Sequence, residues 1–434
     1  MDEIAESGHG YEGGLSISSD DKHYKHIGLI RVNYNMNNII GSGIFVIPGD
    51  VWRLTRSPGA ALMLWLAGGV FSFLCSLAFR ELGIMMPRAG ELQYIEETFY
   101  RAPIFIHMFS FAMIFVIRPT VIIADAYIAS LYLIYAIRGK SDQETLIGSI
   151  GSYGNAMLEV LFTYEGWNSA NSLNYNLNPK YSQFSTIFSV IFALCLYVLV
   201  NVAYITVVNP NDFVRIDDAI GAMFFGDTLI GKTLIPILIV ISSCGAVSAM
   251  IFSGSEIIAY ATRYDYIACP YSKIFCKFHH KFETPINALL FQFFYCSILI
   301  ILLPPILDTI LLLVHISLYP TVLYYGFIVL CLMILKSRYS FGGGIKYSIP
   351  TPYYAVLLSF IMTIAIIALF PISRDKGIIN PFYMHIFSLI LILVGGISSY
   401  FYNKISISKR KVMRNVQLEK LEQLEKLEKL DQLS

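Results

Sequence analysis

The residues of this chain best suited to chemistry sit in one short stretch, Asn38-Ile39-Ile40-Gly41-Ser42-Gly43-Ile44-Phe45. Two glycines flank a serine inside a run that otherwise reads as membrane helix, so the helix can stop and restart there. In a bilayer such a break must face protein or a water-filled cavity, because freed backbone N–H and C=O groups are costly in lipid. The restarted half presents free N–H groups and the positive end of its dipole, a seat for a carboxylate. The carbonyls that end the first half can take an ammonium. Carboxylate and ammonium together are the head group of an amino acid, bound near the midplane as in carriers with discontinuous helices. Close helix packing is the other use of such glycines, since small residues also line membrane helix contacts.

The remaining sequence sets that stretch in a membrane. Of 434 residues, 56% are hydrophobic and only 14% charged, with a mean hydropathy of +0.61, against about 45–50% apolar in soluble domains. The chain reads as an all-α polytopic membrane protein. A net charge of +1 offers no basic field for phosphates, so nucleic acid is not a partner. The seven cysteines fall in apolar segments or in one inner loop, which argues for free thiols rather than a disulfide framework. No removable signal peptide is recognisable at the N-terminus.

Apolar segments long enough to span, at about 17–25 residues each, fall at roughly 28–52, 59–86, 104–137, 156–178, 183–207, 230–262, 285–306, 308–335, 352–371 and 380–402. About ten spans put both termini on one side. With the N-terminus inside, the inner loops and tail gather most of the Lys and Arg, including Arg80, Arg88, Lys273, Lys277, Lys281, Lys336 and Arg338, so both termini are expected in the cytoplasm. Residues 1–27 read as a disordered cytoplasmic tail, 28–402 as the membrane domain and 403–434 as a low-complexity cytoplasmic tail. Leucines recur every third residue from Leu418 to Leu433. On a helix each falls about 60° behind the last, giving a spiral rather than a coiled-coil seam, so a solvated tail is preferred to a zipper.

The second segment ends Arg80-Glu81-Leu82-Gly83, then Pro87-Arg88-Ala89-Gly90-Glu91 with Tyr94 and Ile95. Here Pro and Gly end a helix at the inner surface and Arg88 can pair with Glu91. Together with Gly41-Ser42-Gly43-Ile44-Phe45, this resembles the amino acid–polyamine–organocation superfamily. Ile117-Arg118-Pro119 resembles its L-type amino acid transporter branch, and Gly90-Glu91 with Tyr94 is similar to fungal methionine-permease-like members. Phe162-Thr163-Tyr164-Glu165-Gly166-Trp167-Asn168, followed by Asn178-Pro179, resembles the second broken helix of that family.

The resemblance implies a leucine-transporter-like inverted-repeat fold and a permease or exchanger of L-amino acids, neutral ones foremost, working by alternating access. It implies no cofactor and no enzymatic chemistry, and the plasma membrane as location. Residue by residue, Gly41, Ser42 and Gly43 would supply N–H groups and a hydroxyl to the substrate carboxylate, and Ile40 its carbonyl to the ammonium. Phe162 would cover the bound substrate, unless it is an ordinary core aromatic. Gly166 belongs to the second break.

Glu165 stands where the family commonly has glycine. It could meet the substrate ammonium, a cationic side chain or a proton, with Arg118 as a structural partner instead. The acidic pair usual near the end of this helix is replaced by Asn174, Tyr175 and Asn176. The largest departure is that the third segment leads through residues 138–155 into the equivalent of the family's sixth span, so the fourth and fifth spans are missing. A shortened transporter, a non-transporting sensor or defective paralogue, and an incomplete sequence all fit. Losing two spans keeps the orientation of every later one.

Asp125 lies seven residues after Arg118 on roughly the same helical face, suiting buried pairing or cavity lining better than proton relay. Cys269, Cys276, His279 and His280 share one loop, but their spacing matches no common zinc site, and no metal is expected. Metazoan relatives link a glycoprotein heavy chain through a cysteine in the outer connection. Residues 138–155 contain none, so no disulfide-linked heavy chain is expected.

Overall fold

The computed structural model describes residues 32–86, 90–138, 153–169, 179–207, 225, 228–268, 272–282, 284–303, 308–340, 351–369, 383–406 and 408. The first apolar segment is two helices, α1 (32–39) and α2 (Gly43–Thr55), with residues 40–42 bent between them. The last α-type bond of α1 runs from Ile40 N–H to the Met36 carbonyl at 2.8 Å. Gly41 N–H then turns back to the Ile39 carbonyl at 2.9 Å. This is the break that the Gly-Ser-Gly triplet predicts.

Long apolar helices follow. α3 (Pro58–Met85) starts with proline in its first turn and Ser57 as N-cap, its hydroxyl accepting the Ala60 N–H at 3.4 Å. After the short α4 (Glu91–Thr98), the third span comprises α5 (Ile104–Phe111), a π-helical turn (Ala112–Ile117) and α6 (Arg118–Arg138). The π turn has a local cause. Pro119 has no N–H to offer the Phe115 carbonyl, and the Tyr295 hydroxyl donates to that carbonyl instead, at 3.0 Å.

α7 (Tyr153–Thr163) gives way to turns over 164–168, and α8 is Pro179–Val207. Another π turn (Ile230–Leu234) leads into α9 (Ile235–Arg263), then α10 (Ser272–Phe275), α11 (Ile286–Leu302), α12 (Asp308–Ser340), α13 (Tyr353–Leu369) and α14 (Tyr383–Ser406). Six of these stretches are long and apolar enough to cross a membrane, and α11 and α13 are shorter apolar helices. With the two interrupted segments they make ten among the described residues, where hydropathy reads about ten.

Packing sets the breaks at the centre. α3 lies along α8 and α6 along α9, while α2 and α7, the helices beside the two breaks, pack against each other. α12 touches α3, α6, α7 and α13. At one end of the bundle the buried carboxylate of Glu81 ties three helices. It meets Lys336 Nζ at 2.9 Å and accepts the Thr351 N–H at 2.9 Å. Outward faces carry residues such as Leu199, Ile301 and Val394, which are exposed as a bilayer requires.

Only residues 139–152 join α6 to α7, fewer than the roughly 20 that one span needs. No further span fits there, in line with the two missing spans read from sequence. Several expectations fall outside the described residues: both tails beyond residue 408 or before 32, Arg88, Asn174 to Asn178, and Cys269. Glu91 is described, and its carboxylate accepts the side-chain amide of Asn168 at 2.8 Å. Among the described residues no disulfide forms, and no three side chains of metal-binding type cluster.

Candidate functional site at two adjoining helix breaks

The two breaks lie against each other, and glycine is what permits it. A Cβ on Gly43 would stand 2.9 Å from Thr163 Oγ1 and 3.2 Å from Thr163 Cα. Gly166 has φ +107°, a conformation side chains rarely tolerate, and its Cβ would stand 2.9 Å from the backbone carbonyl atoms of Asn38. Asn38 holds the pair together. Its amide donates to the Gly166 carbonyl at 3.2 Å and to Ser169 Oγ at 2.5 Å. Gly41 is under less constraint: a methyl added there would stand 3.3 Å from Ala246 Cβ.

Side chains of the protein satisfy the carbonyls that the breaks set free. The buried Tyr197 hydroxyl, from the middle of α8, lies 2.7 Å from the Ile39 carbonyl and 3.0 Å from that of Thr163. One hydroxyl hydrogen thus serves the ends of both α1 and α7. Ser242 on α9 donates to the Ile40 carbonyl at 2.7 Å. An ammonium approaching Ile40 therefore finds that oxygen with one partner already, and its second lone pair open.

Ser42 is the N-cap residue of α2, yet its hydroxyl caps no N–H. It donates instead to Asp125 Oδ1 on α6 at 2.7 Å, and both residues are buried. Of the first N–H groups of α2, that of Phe45 bonds the Ser42 carbonyl at 3.1 Å, and those of Gly43 and Ile44 precede any acceptor of their own helix. A carboxylate of the protein thus already takes the hydroxyl hydrogen of Ser42 beside this helix start.

Phe162 and Glu165 close the second break. Phe162 is buried in the main core, and its carbonyl accepts the Glu165 N–H at 3.1 Å. Glu165 is only 7% exposed, and among the described residues its Oε2 has no hydrogen-bond partner. Arg118 and Asp125 are its electrostatic neighbours. Arg118 is buried too but forms no ion pair within 4.0 Å among the described residues. The alternative of Arg118 as structural partner of Glu165 thus rests on charge at a distance, with no ion pair within 4.0 Å among the described residues.

Aromatic rings fix this turn from both sides. Tyr164 packs with Trp65 and Tyr197 at ring separations of 6.1 and 4.9 Å. Trp167 packs edge-on to Phe79 at 4.8 Å and against Tyr325 at 5.2 Å. Glu165 and Gly166 are held between two anchored aromatics. Sequence reasoning passed over Tyr197 and Ser242. The available signal was a hydroxyl in an otherwise apolar run, Leu194-Cys195-Leu196-Tyr197-Val198-Leu199, which in a membrane needs a partner.

The profile of the amino acid permease family matches residues 34–152 and 147–397, nearly the whole described chain. The chain belongs to this amino acid permease family. The two matched stretches meet within the short connection between α6 and α7. Rat b(0,+)-type amino acid transporter 1 is 26% identical over 443 aligned positions, taking in 86% of each chain. Because 86% of 434 residues is about 373, about 70 of the 443 positions lie opposite gaps in this chain, room for two spans and their connections. The human protein of that name is 25% identical with the same coverage. Mouse large neutral amino acids transporter small subunit 2 is 24% identical over 70% of this chain and 67% of its own. In fold, this permease resembles the crystal structure of the manganese transporter of Eremococcus coleocola, with TM-score 0.52, 11% identity, and 92% and 97% of the two chains covered. The family is one of membrane transporters, not enzymes.

Proposed function

We propose that this permease is a secondary transporter of L-amino acids, neutral ones foremost, that binds the substrate head group between its two helix breaks. The observation that carries the reading is the direct apposition of α2 and α7 at Gly43 and Thr163, with Asn38 bridging to Gly166. In this reading Gly41, Ser42 and Gly43 receive the carboxylate. The Ile40 carbonyl and Glu165 receive the ammonium, Phe162 covers the side chain, and Gly166 keeps the second break open. The relatives support the substrate class, being named as amino acid transporters, one of them for large neutral amino acids. The protein resides in the plasma membrane with both termini cytoplasmic, and it works without a disulfide-linked heavy chain.

The test is uptake of labelled leucine and methionine by the purified protein in liposomes. Saturable flux that Gly43→Leu abolishes is the expected result; flux unchanged by that substitution removes the proposed site. One observation favours a second reading. The connection of residues 139–152 leaves the first repeat with three spans against five in the second, and rocking of one bundle against the other needs both. Saturable binding without flux would mark the protein as an amino-acid sensor.

A further inference from the structure

The pairing of Ser42 with Asp125 has a chemical consequence that depends on the head-group site just proposed. Ser42 Oγ carries one hydrogen, and that hydrogen is given to Asp125 Oδ1 at 2.7 Å. A substrate carboxylate seated on the first turn of α2 needs the same hydrogen. It also arrives about two hydrogen-bond lengths, roughly 5 Å, from the carboxylate of Asp125. Protonating Asp125 resolves both conflicts. The acid can then donate to Ser42 Oγ, which turns its own hydrogen to the substrate, and the repulsion between two anions disappears.

We propose that Asp125 is the proton-binding group of this permease, taking one proton from solvent when a substrate carboxylate docks at Ser42 and Gly43 and releasing it when the carboxylate leaves. Substrate and proton then bind with positive coupling, and by linkage each raises the affinity for the other equally.

A second buried acid supports the assignment. Glu165 Oε2 is unpartnered among the described residues, and Glu165 lies within electrostatic reach of Asp125. Two acids therefore border the breaks, and the nearby Arg118 contacts neither as an ion pair. Among the described residues Asp125 has no ion pair, and Lys232, on the π turn (Ile230–Leu234) that packs against α6, precedes Ser242 by ten residues. Tyr197 approaches from α8. On α9, Ser242 and Ser243 are the polar residues nearest the break, and Glu256 and Arg263 lie about four turns or more beyond them. On α2, Asp50 pairs with Arg53 away from the break. On α7, Glu159 sits one turn before Thr163, α11 carries no charged residue, and α12 offers buried His315 and, far along it, Lys336 and Arg338.

A metal cation fits this place poorly. Hard cations gather about six oxygens, whereas Asp125 is offered one hydroxyl, and the nearby carbonyls of Ile39 and Ile40, accepting from Tyr197 and Ser242, keep one lone pair each, too few oxygens for such a shell.

The experiment is binding of leucine to the purified full-length protein, with affinity measured between about pH 5 and pH 8 and proton uptake followed in weak buffer. The expected result is about one proton taken up per leucine and affinity falling up to tenfold per pH unit on the alkaline side. The full span is on the order of 100-fold for two anions about 5 Å apart. Asp125→Asn should abolish proton uptake and flatten the pH profile. Ser42→Ala, which leaves the acid in place, should weaken binding and shrink the pH effect. Saturable binding with no proton uptake and a flat profile overturns the assignment while leaving the transport reading intact. Sodium-dependent binding in place of the pH effect overturns it in favour of a metal cation. Absence of leucine binding at every pH overturns the head-group site itself, and this assignment with it.

Discussion

Gly43→Ala puts the apposition of the two breaks to a quantitative test. The added methyl would stand 2.9 Å from Thr163 Oγ1, 3.1 Å from Cγ2 and 3.2 Å from Cα. The side chain of Thr163 cannot simply rotate away, because its hydroxyl donates to the Glu159 carbonyl at 3.2 Å. Even a different rotamer leaves the clash with the Thr163 main chain, which only backbone movement relieves. Overpacking of this kind costs about 1–3 kcal/mol. Expressed at the substrate site, that is a loss of roughly 5- to 150-fold in affinity, and in thermal unfolding a fall of a few °C. Thr163→Ala removes two of the three clashing atoms. The double variant should therefore be more stable than the sum of the single effects, with an interaction of about 0.5–2 kcal/mol. Melting of the detergent-purified protein, with leucine affinity measured on the same four samples, reads both quantities. Strict additivity, or a Gly43→Ala protein that melts and binds like the parent, would show that α2 and α7 do not approach this closely.

Three further perturbations address the surroundings. Tyr197→Phe leaves the Ile39 and Thr163 carbonyls to share no hydroxyl, and should cost about 1–3 kcal/mol in stability; an unchanged melting temperature would mean that water replaces the hydroxyl without loss. Glu165→Gln should weaken amino acid binding by about 10- to 100-fold if the carboxylate meets the ammonium, whereas lowered stability at full affinity would make it a structural counterpart of Arg118. Lys336→Met strands the carboxylate of Glu81, whose side chain is 1% exposed, and should destabilise by about 3–5 kcal/mol; Glu81→Gln combined with it should recover part of that loss in the same melt.

Much of this architecture is legible in one dimension because membranes impose simple rules. Spans follow from apolar length, and the first break follows from Gly41-Ser42-Gly43 alone, since few other triplets let a helix stop and restart within three residues. The missing pair of spans is legible too, as a connection too short to hold them. What could not be read is how the breaks are satisfied. Asp125 meets Ser42 across 83 positions, Ser242 meets Ile40 across 202 and Tyr197 meets Ile39 across 158, and periodicity carries no information about such pairs. The seven-residue spacing of Arg118 and Asp125 put them on one face, yet the partner of Asp125 came from another helix. Glu91 shows the same limit: Asn168, 77 positions away, donates to its carboxylate, and nothing in the spacing of the sequence points to that pair.

The self-completed breaks bear on what happens when no cargo is aboard. In a carrier whose freed carbonyls wait for a substrate, closing around an empty cavity strands those acceptors, at about 1–3 kcal/mol each. Such a barrier ties every return journey to a passenger. Here Tyr197 and Ser242 already occupy the carbonyls of Ile39, Thr163 and Ile40, so that part of the barrier is absent. In a cycling protein, the balance between one-way uptake and one-for-one swapping would then be set by hydroxyls on α8 and α9 that lie outside the proposed head-group contacts, and it would drift with substitutions there.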